Sequence, residues 1–134
     1  MGFTFRYSIG SDAVTPINDY ATGGTVPEGA AVKLNSNGKV VVVAPGDAIF
    51  GISHGNDYAT GYAKVQSNPN AAYEVPYIGT TKNSLTDADL GKLFDVDATG
   101  TKLNLDASAP SQFKLLRYDN VRKVATVIVA KRAL

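Results

Sequence analysis

The sequence predicts an all-β protein: a single compact β-barrel or β-sandwich of short antiparallel strands, with one short helical turn and an N-terminal strand-like arm. Three observations carry that expectation. Apolar residues recur with a period of two, as where Phe3, Phe5, Tyr7 and Ile9 alternate with Thr4, Arg6 and Ser8, which places the large groups on one face of a strand. Thirteen glycines and six prolines cut the rest of the chain into short pieces. Turn-forming clusters, Asn35-Ser36-Asn37-Gly38 above all, separate runs of β-branched residues.

In chain order, the alternating strand over residues 3–9 comes first. The stretch from Ser11 to Gly24 is rich in Asp, Asn, Thr and Gly and has little periodicity, so residues 1–24 read as an arm and tether and residues 25–134 as the β-domain. Ala30–Leu34 and Lys39–Val43 flank the Asn-Gly turn as a β-hairpin. Pro45-Gly46-Asp47 turns the chain into the short strand Ala48–Ile52. Tyr62–Gln66 and Tyr73–Ile78 flank a turn at Ser67–Asn70, and Pro76 marks the second of them as an edge strand or a bulge. Ser84–Gly91 offers capping hydroxyls, acids in a first turn and a terminating glycine, which fits one helical turn. Leu93–Val96, Lys102–Leu105, Gln112–Tyr118 and Val124–Ala130 are strands again, the last two joined at Asp119-Asn120.

Composition narrows the chemistry. Hydrophobic residues make up 44% of the 134 and charged ones 19%, which is globular. Thirteen Lys+Arg against twelve Asp+Glu leave a net charge of +1, so no global field gathers nucleic acid or anionic membrane. There is no cysteine, hence no disulfide, thiolate nucleophile or iron–sulfur cluster, and the single histidine His54 cannot build a multi-histidine metal site. No segment approaches the ~18 apolar residues of a membrane span. Residues 1–6 lack the basic opening and apolar stretch of a signal peptide, and Arg6 stands where myristoylation needs Ser or Thr. The expectation is a protein made in a cytoplasm, without cofactor or metal, and not an enzyme.

The motifs that imitate chemistry have plainer explanations. Asp95, Asp97, Thr99, Gly100 and Asp106 mimic a calcium loop, but Thr takes the fifth ligand's place, Asp that of the bidentate Glu, and the flanks read as strands. A hairpin turning at Asp97–Gly100 is the preferred reading. His54, with Ser53 and Asp57 near it in sequence, is the only imidazole available to a general base and reads as a polar loop residue. Asp87 and Asp89 serve the helical turn, and nothing in the sequence pairs Glu28 with Glu74. Thr22-Gly23-Gly24-Thr25 lacks the Lys and the helix of a phosphate loop. Arg117, Arg122, Lys123, Lys131 and Arg132, with Phe113 and Tyr118, give a basic tint that single-strand binding would exploit and a solvated strand face explains equally.

The succession Val26-Pro27-Glu28-Gly29-Ala30-Ala31-Val32-Lys33-Leu34, then Gly38–Ala44, then Ile49-Phe50-Gly51-Ile52-Ser53 resembles the small capsid decoration, or cement, proteins of tailed bacteriophages. Asp89-Leu90-Gly91-Lys92 and the closing hairpin from Tyr118 to Ala130 extend the likeness, which covers about Thr25 to Ala130. It implies a non-enzymatic β-domain on the virion capsid surface that clamps neighbouring copies of the major capsid protein, commonly as a homotrimer. The family has no catalytic motif to carry over. Two alternatives are a carbohydrate- or receptor-binding β-module of a virion fibre and a single-stranded nucleic-acid-binding barrel; the near-neutral charge disfavours the second, and no membrane partner is expected.

The N-terminal strand is the expected protein-interaction element. If Phe3, Phe5, Tyr7 and Ile9 were fully buried they would contribute roughly 6–12 kcal/mol. Their strand, spanning about 23 Å, would pair with an edge of another copy or of the capsid protein and set its register through alternate pockets. The competing expectation is that it completes the protein's own barrel.

Overall fold

The computed structural model describes residues 2–8, 17–57, 61–67 and 71–133. Its strands are β1 (Thr4–Ser8), β2 (Ile17–Ala21), β3 (Ala31–Leu34), β4 (Val40–Val42), β5 (Gly51–Asp57), β6 (Tyr62–Gln66), β7 (Ala71–Ile78), β8 (Leu93–Val96), β9 (Leu103–Asn104), β10 (Phe113–Asp119) and β11 (Val124–Val129). Among the described residues the one helical element is the 3-10 turn Asp87–Asp89. The all-β expectation is met.

The larger sheet runs β1-β7-β11-β10-β8-β9 and closes on itself because β9 also pairs, in parallel, with β7. The five strands β7, β11, β10, β8 and β9 therefore form a barrel, and β1 lies beside β9 along the same edge of β7. Pro76 falls between the residues of β7 that pair with β1, ending at Glu74, and those that pair with β9, beginning at Tyr77. A residue without an N–H is tolerated at such a gap in the ladder. Alternation fills the barrel: in β11, Ala125, Val127 and Val129 are buried while the residues between them are half-exposed. Tyr73, Phe113, Leu115, Val96 and Leu103 join the same core.

The smaller sheet runs β2-β6-β5-β3-β4. An isolated parallel bridge between Thr22 and Val40 draws its two edges together, with Gly23 N–H donating to the Val40 carbonyl at 2.9 Å. Val26, Val32, Val40, Ala63 and Val65 fill its interior, and Tyr20 meets Phe50 edge-on with ring centres 5.1 Å apart. At Gly51 a Cβ would strike the Gln66 carbonyl, so only glycine lets β5 lie this close to β6.

Hydrogen bonds join the sheets at several places, two of which stand out. The buried Gln112 amide donates to the carbonyls of Ala44 and Asp47, both at 2.9 Å, while its oxygen accepts from Val96 N–H, also at 2.9 Å. The chain after β11 returns to the loop before β5, where Ile49 N–H donates to the Lys131 carbonyl and Ala133 N–H to the Ile49 carbonyl.

Two expectations change. The strand foreseen as an arm reaching for a neighbouring chain pairs within its own chain, Thr4 opposite Glu74 and Phe5 opposite Tyr73. The tether holds a strand, β2, which pairs along its whole length with β6. Residues 1–24 thus contribute one strand to each sheet. The physical reason is clear at Phe3, just before β1, and at Phe5 within it: Phe3 is only 4% exposed, its ring stacked 4.7 Å from Phe113 and edge-on to Tyr73, and Phe5 packs half-buried against the same core.

Candidate functional site

Of the four proposed interaction residues, Phe3 is in the core and Phe5 is half-buried, edge-on to Tyr73 at 6.3 Å. Tyr7 is placed through its backbone alone, opposite Ala72. Ile9 lies outside the described residues.

The calcium-like run is a hairpin, with Asp95 opposite Asn104 and Val96 opposite Leu103. Its carboxylates serve three different backbones. Asp95 accepts from Ser111 and Gln112 N–H at 2.8 and 3.1 Å. Asp97 accepts from the Thr99 N–H and hydroxyl at 3.1 and 2.7 Å, closing the turn. Asp106 accepts from the N–H groups of Thr80, Thr81 and Lys82 and from the Thr80 hydroxyl. These donors, Lys82 N–H foremost, hold the Asp106 carboxyl down to about 2. Among the described residues no group of three or more metal-ligating side chains occurs.

His54 is a strand residue and not a loop residue. Pairing passes from Ser53 opposite Val65 to Gly55 opposite Lys64, so His54 is the extra residue of a β-bulge. Its Nε2 lies 2.5 Å from Gln66 Oε1. Ser53 is turned elsewhere: its hydroxyl donates to the Pro27 carbonyl at 2.5 Å and accepts from Ala30 N–H at 3.1 Å. The Asp57 side chain lies outside the described ones. The structure therefore does not bring Ser53 and His54 together as nucleophile and base.

Asp87 and Asp89 also part ways. Asp89 is buried, which by itself raises its carboxyl, but Thr86 N–H at 2.9 Å and the Lys82 ammonium at 3.0 Å outweigh that and hold it below the ordinary value. Asp87 accepts from the Tyr118 hydroxyl at 2.7 Å, which pushes the Tyr118 phenol up. Glu74 pairs with Arg122, Oε1 to Nη2 at 3.0 Å, and not with Glu28.

The C-terminal cations do not form one face. Lys131 donates to the Gly46 carbonyl at 2.6 Å, on the joint between the sheets. Lys123 lies 5.9 Å from the Tyr77 ring centre. Arg117 and Arg122, by contrast, line a notch on the outside of the barrel together with Arg6 and Glu74. Sequence reading missed that grouping, because Arg6 and Arg117 meet only through the pairing of β1, β7, β11 and β10. Comparison of the chain with protein-family models, curated proteins and solved structures returns no match.

Proposed function

We propose that this protein is a non-enzymatic structural protein that binds the outside of a phage capsid and stabilises contacts between major capsid subunits. The observation that carries the reading is the use made of the polar side chains. Asp47, Asp89, Asp95, Asp97, Asp106 and Asp119 each accept hydrogen bonds from backbone N–H groups of nearby loops, and Gln112 joins the two sheets. Side chains committed in this way fix loop shape, and fixed loops on a small barrel present a preformed surface to other proteins. The run from Val26 to Ser53 that resembles cement proteins supplies β3, β4 and the start of β5, neighbours in the smaller sheet.

Many weak contacts suffice for such a role when each copy touches several subunits. A homotrimer remains part of the proposal through the resemblance alone, since Phe3 and Phe5, two of the four residues that argued for self-association, pack in or against the barrel core. The test is to mix the purified protein with expanded, undecorated heads of the phage that encodes it and image the particles. Added density at regular positions on the shell is expected; bare shells at saturating protein would overturn the reading.

A further inference from the structure

We propose that the notch on the outer face of the barrel is a carboxylate-binding site, and that its occupant is an acidic segment of another polypeptide. The notch measures about 430 Å³, within the range of sites that take a small ligand or a few residues of chain. The site stands on its own geometry and does not depend on the capsid reading.

Its floor is a row across β7, β11 and β10, in which Glu74 lies opposite Thr126 and Thr126 opposite Arg117, and Arg6 of β1 lines the same notch beside Glu74's strand. Two β-bulges shape the row. In β1 pairing skips from Phe5 to Tyr7, leaving Arg6 as the extra residue. In β10 it skips from Leu115 to Arg117, which breaks the alternation at Leu116 and sets Arg117 opposite Thr126. Bulges re-aim side chains and recur where a strand serves a purpose beyond pairing. Here both bulged strands deliver a guanidinium to the same notch.

The charge balance of the lining favours an anion. Three guanidinia, Arg6, Arg117 and Arg122, face two carboxylates, Glu74 and Asp119. Both carboxylates are already engaged: Glu74 by Arg122 at 3.0 Å, and Asp119 by Val121 and Arg122 N–H at 3.0 and 3.1 Å. Arg6 and Arg117 have no ion pair or side-chain hydrogen bond among the described residues. A guanidinium offers five N–H donors in a planar fork that matches a carboxylate, and two of them flanking one notch would hold an incoming Asp or Glu by charge-assisted hydrogen bonds. The walls also choose between anions. Glu74 and Asp119 repel a continuous phosphate backbone, whereas a single side-chain carboxylate meets the one surplus positive charge (three minus two).

The experiment is a titration of the isotopically labelled full chain with an end-capped peptide carrying one Glu among glycines, at low ionic strength, followed by amide and arginine Nε–H resonances. Saturable shifts at Glu74, Thr126, Arg117 and the Arg6 and Arg117 side chains are expected. The double variant Arg6→Gln/Arg117→Gln loses both charge-assisted contacts and should bind at least about ten-fold more weakly, since one such contact alone accounts for that much, while Lys102→Gln, on the Asp97–Lys102 turn, should bind as the parent does. Shifts spread over all exposed cations, or equal binding by the double variant, would overturn the site. Inorganic phosphate or a single-stranded oligonucleotide producing the same shifts with equal or higher affinity would overturn the polypeptide assignment.

Discussion

Tyr73 and Asp106 show opposite treatments of a polar group. Tyr73 is 1% exposed, and burial pushes its phenol up. Its hydroxyl has no hydrogen bond among the described residues, and a buried hydroxyl without a partner carries its desolvation cost uncompensated. Tyr73→Phe keeps the ring that packs on Phe3 and Phe5 and removes that cost. Stability in urea should stay level or rise by about 1 kcal/mol; a fall of similar size would mean the hydroxyl has a partner. Asp106 is exposed but fully bonded, and its carboxyl lies at about 2 against an ordinary 3.8. A depressed folded-state value stabilises the fold while the group is ionised in both states, and the contribution fades as pH falls from 3.8 towards about 2. Part of the acid-induced drop in Tm across that window should therefore vanish in Asp106→Asn. A drop of undiminished size in the variant would assign the acid sensitivity to other carboxylates, such as Asp47 and Asp89, which are also held low.

At the scale of elements, β1 decides whether the N-terminus is core or arm. Phe3→Ala removes a buried ring stacked on Phe113, and it should cost about 3–5 kcal/mol by chemical denaturation. A cost under ~1 kcal/mol, the usual range for surface sites, would return the strand to the role of a free arm. Most of the strands were legible in the sequence. Leu93–Val96 and Tyr62–Gln66 have the foreseen bounds, because turn residues bracket each, and in the second apolar alternation runs from Tyr62 to Val65. β2 was not legible: Ile17-Asn18-Asp19 are exposed on an edge strand, so no buried face imposes a period of two. β5 was expected over Ala48–Ile52 and instead runs Gly51–Asp57, since the bulge at His54 and the following Gly-Asn-Asp look like a loop until β6 pairs with them. The arginine notch was illegible for a different reason. Its residues come from positions 6, 117 and 122, and only the long-range order of the strands makes them neighbours.

The whole molecule rests on where β11 sits. It lies between β7 and β10, pairing with both, and its buried residues belong to the barrel core. A chain shortened to end before Val124 loses the barrel's closure and not merely an edge. It should show no cooperative melting transition, and a sharp two-state melt would refute this. The same placement sets the order of events during synthesis. The strand that completes the barrel emerges from the ribosome after every other strand of that barrel, so the nascent chain carries the unpaired edges of β7 and β10 until β11 arrives. Antiparallel pairing between segments far apart in sequence is slow, and bare strand edges invite pairing with other chains. A pause in synthesis before Val124 therefore lengthens the time for which those two edges stand bare.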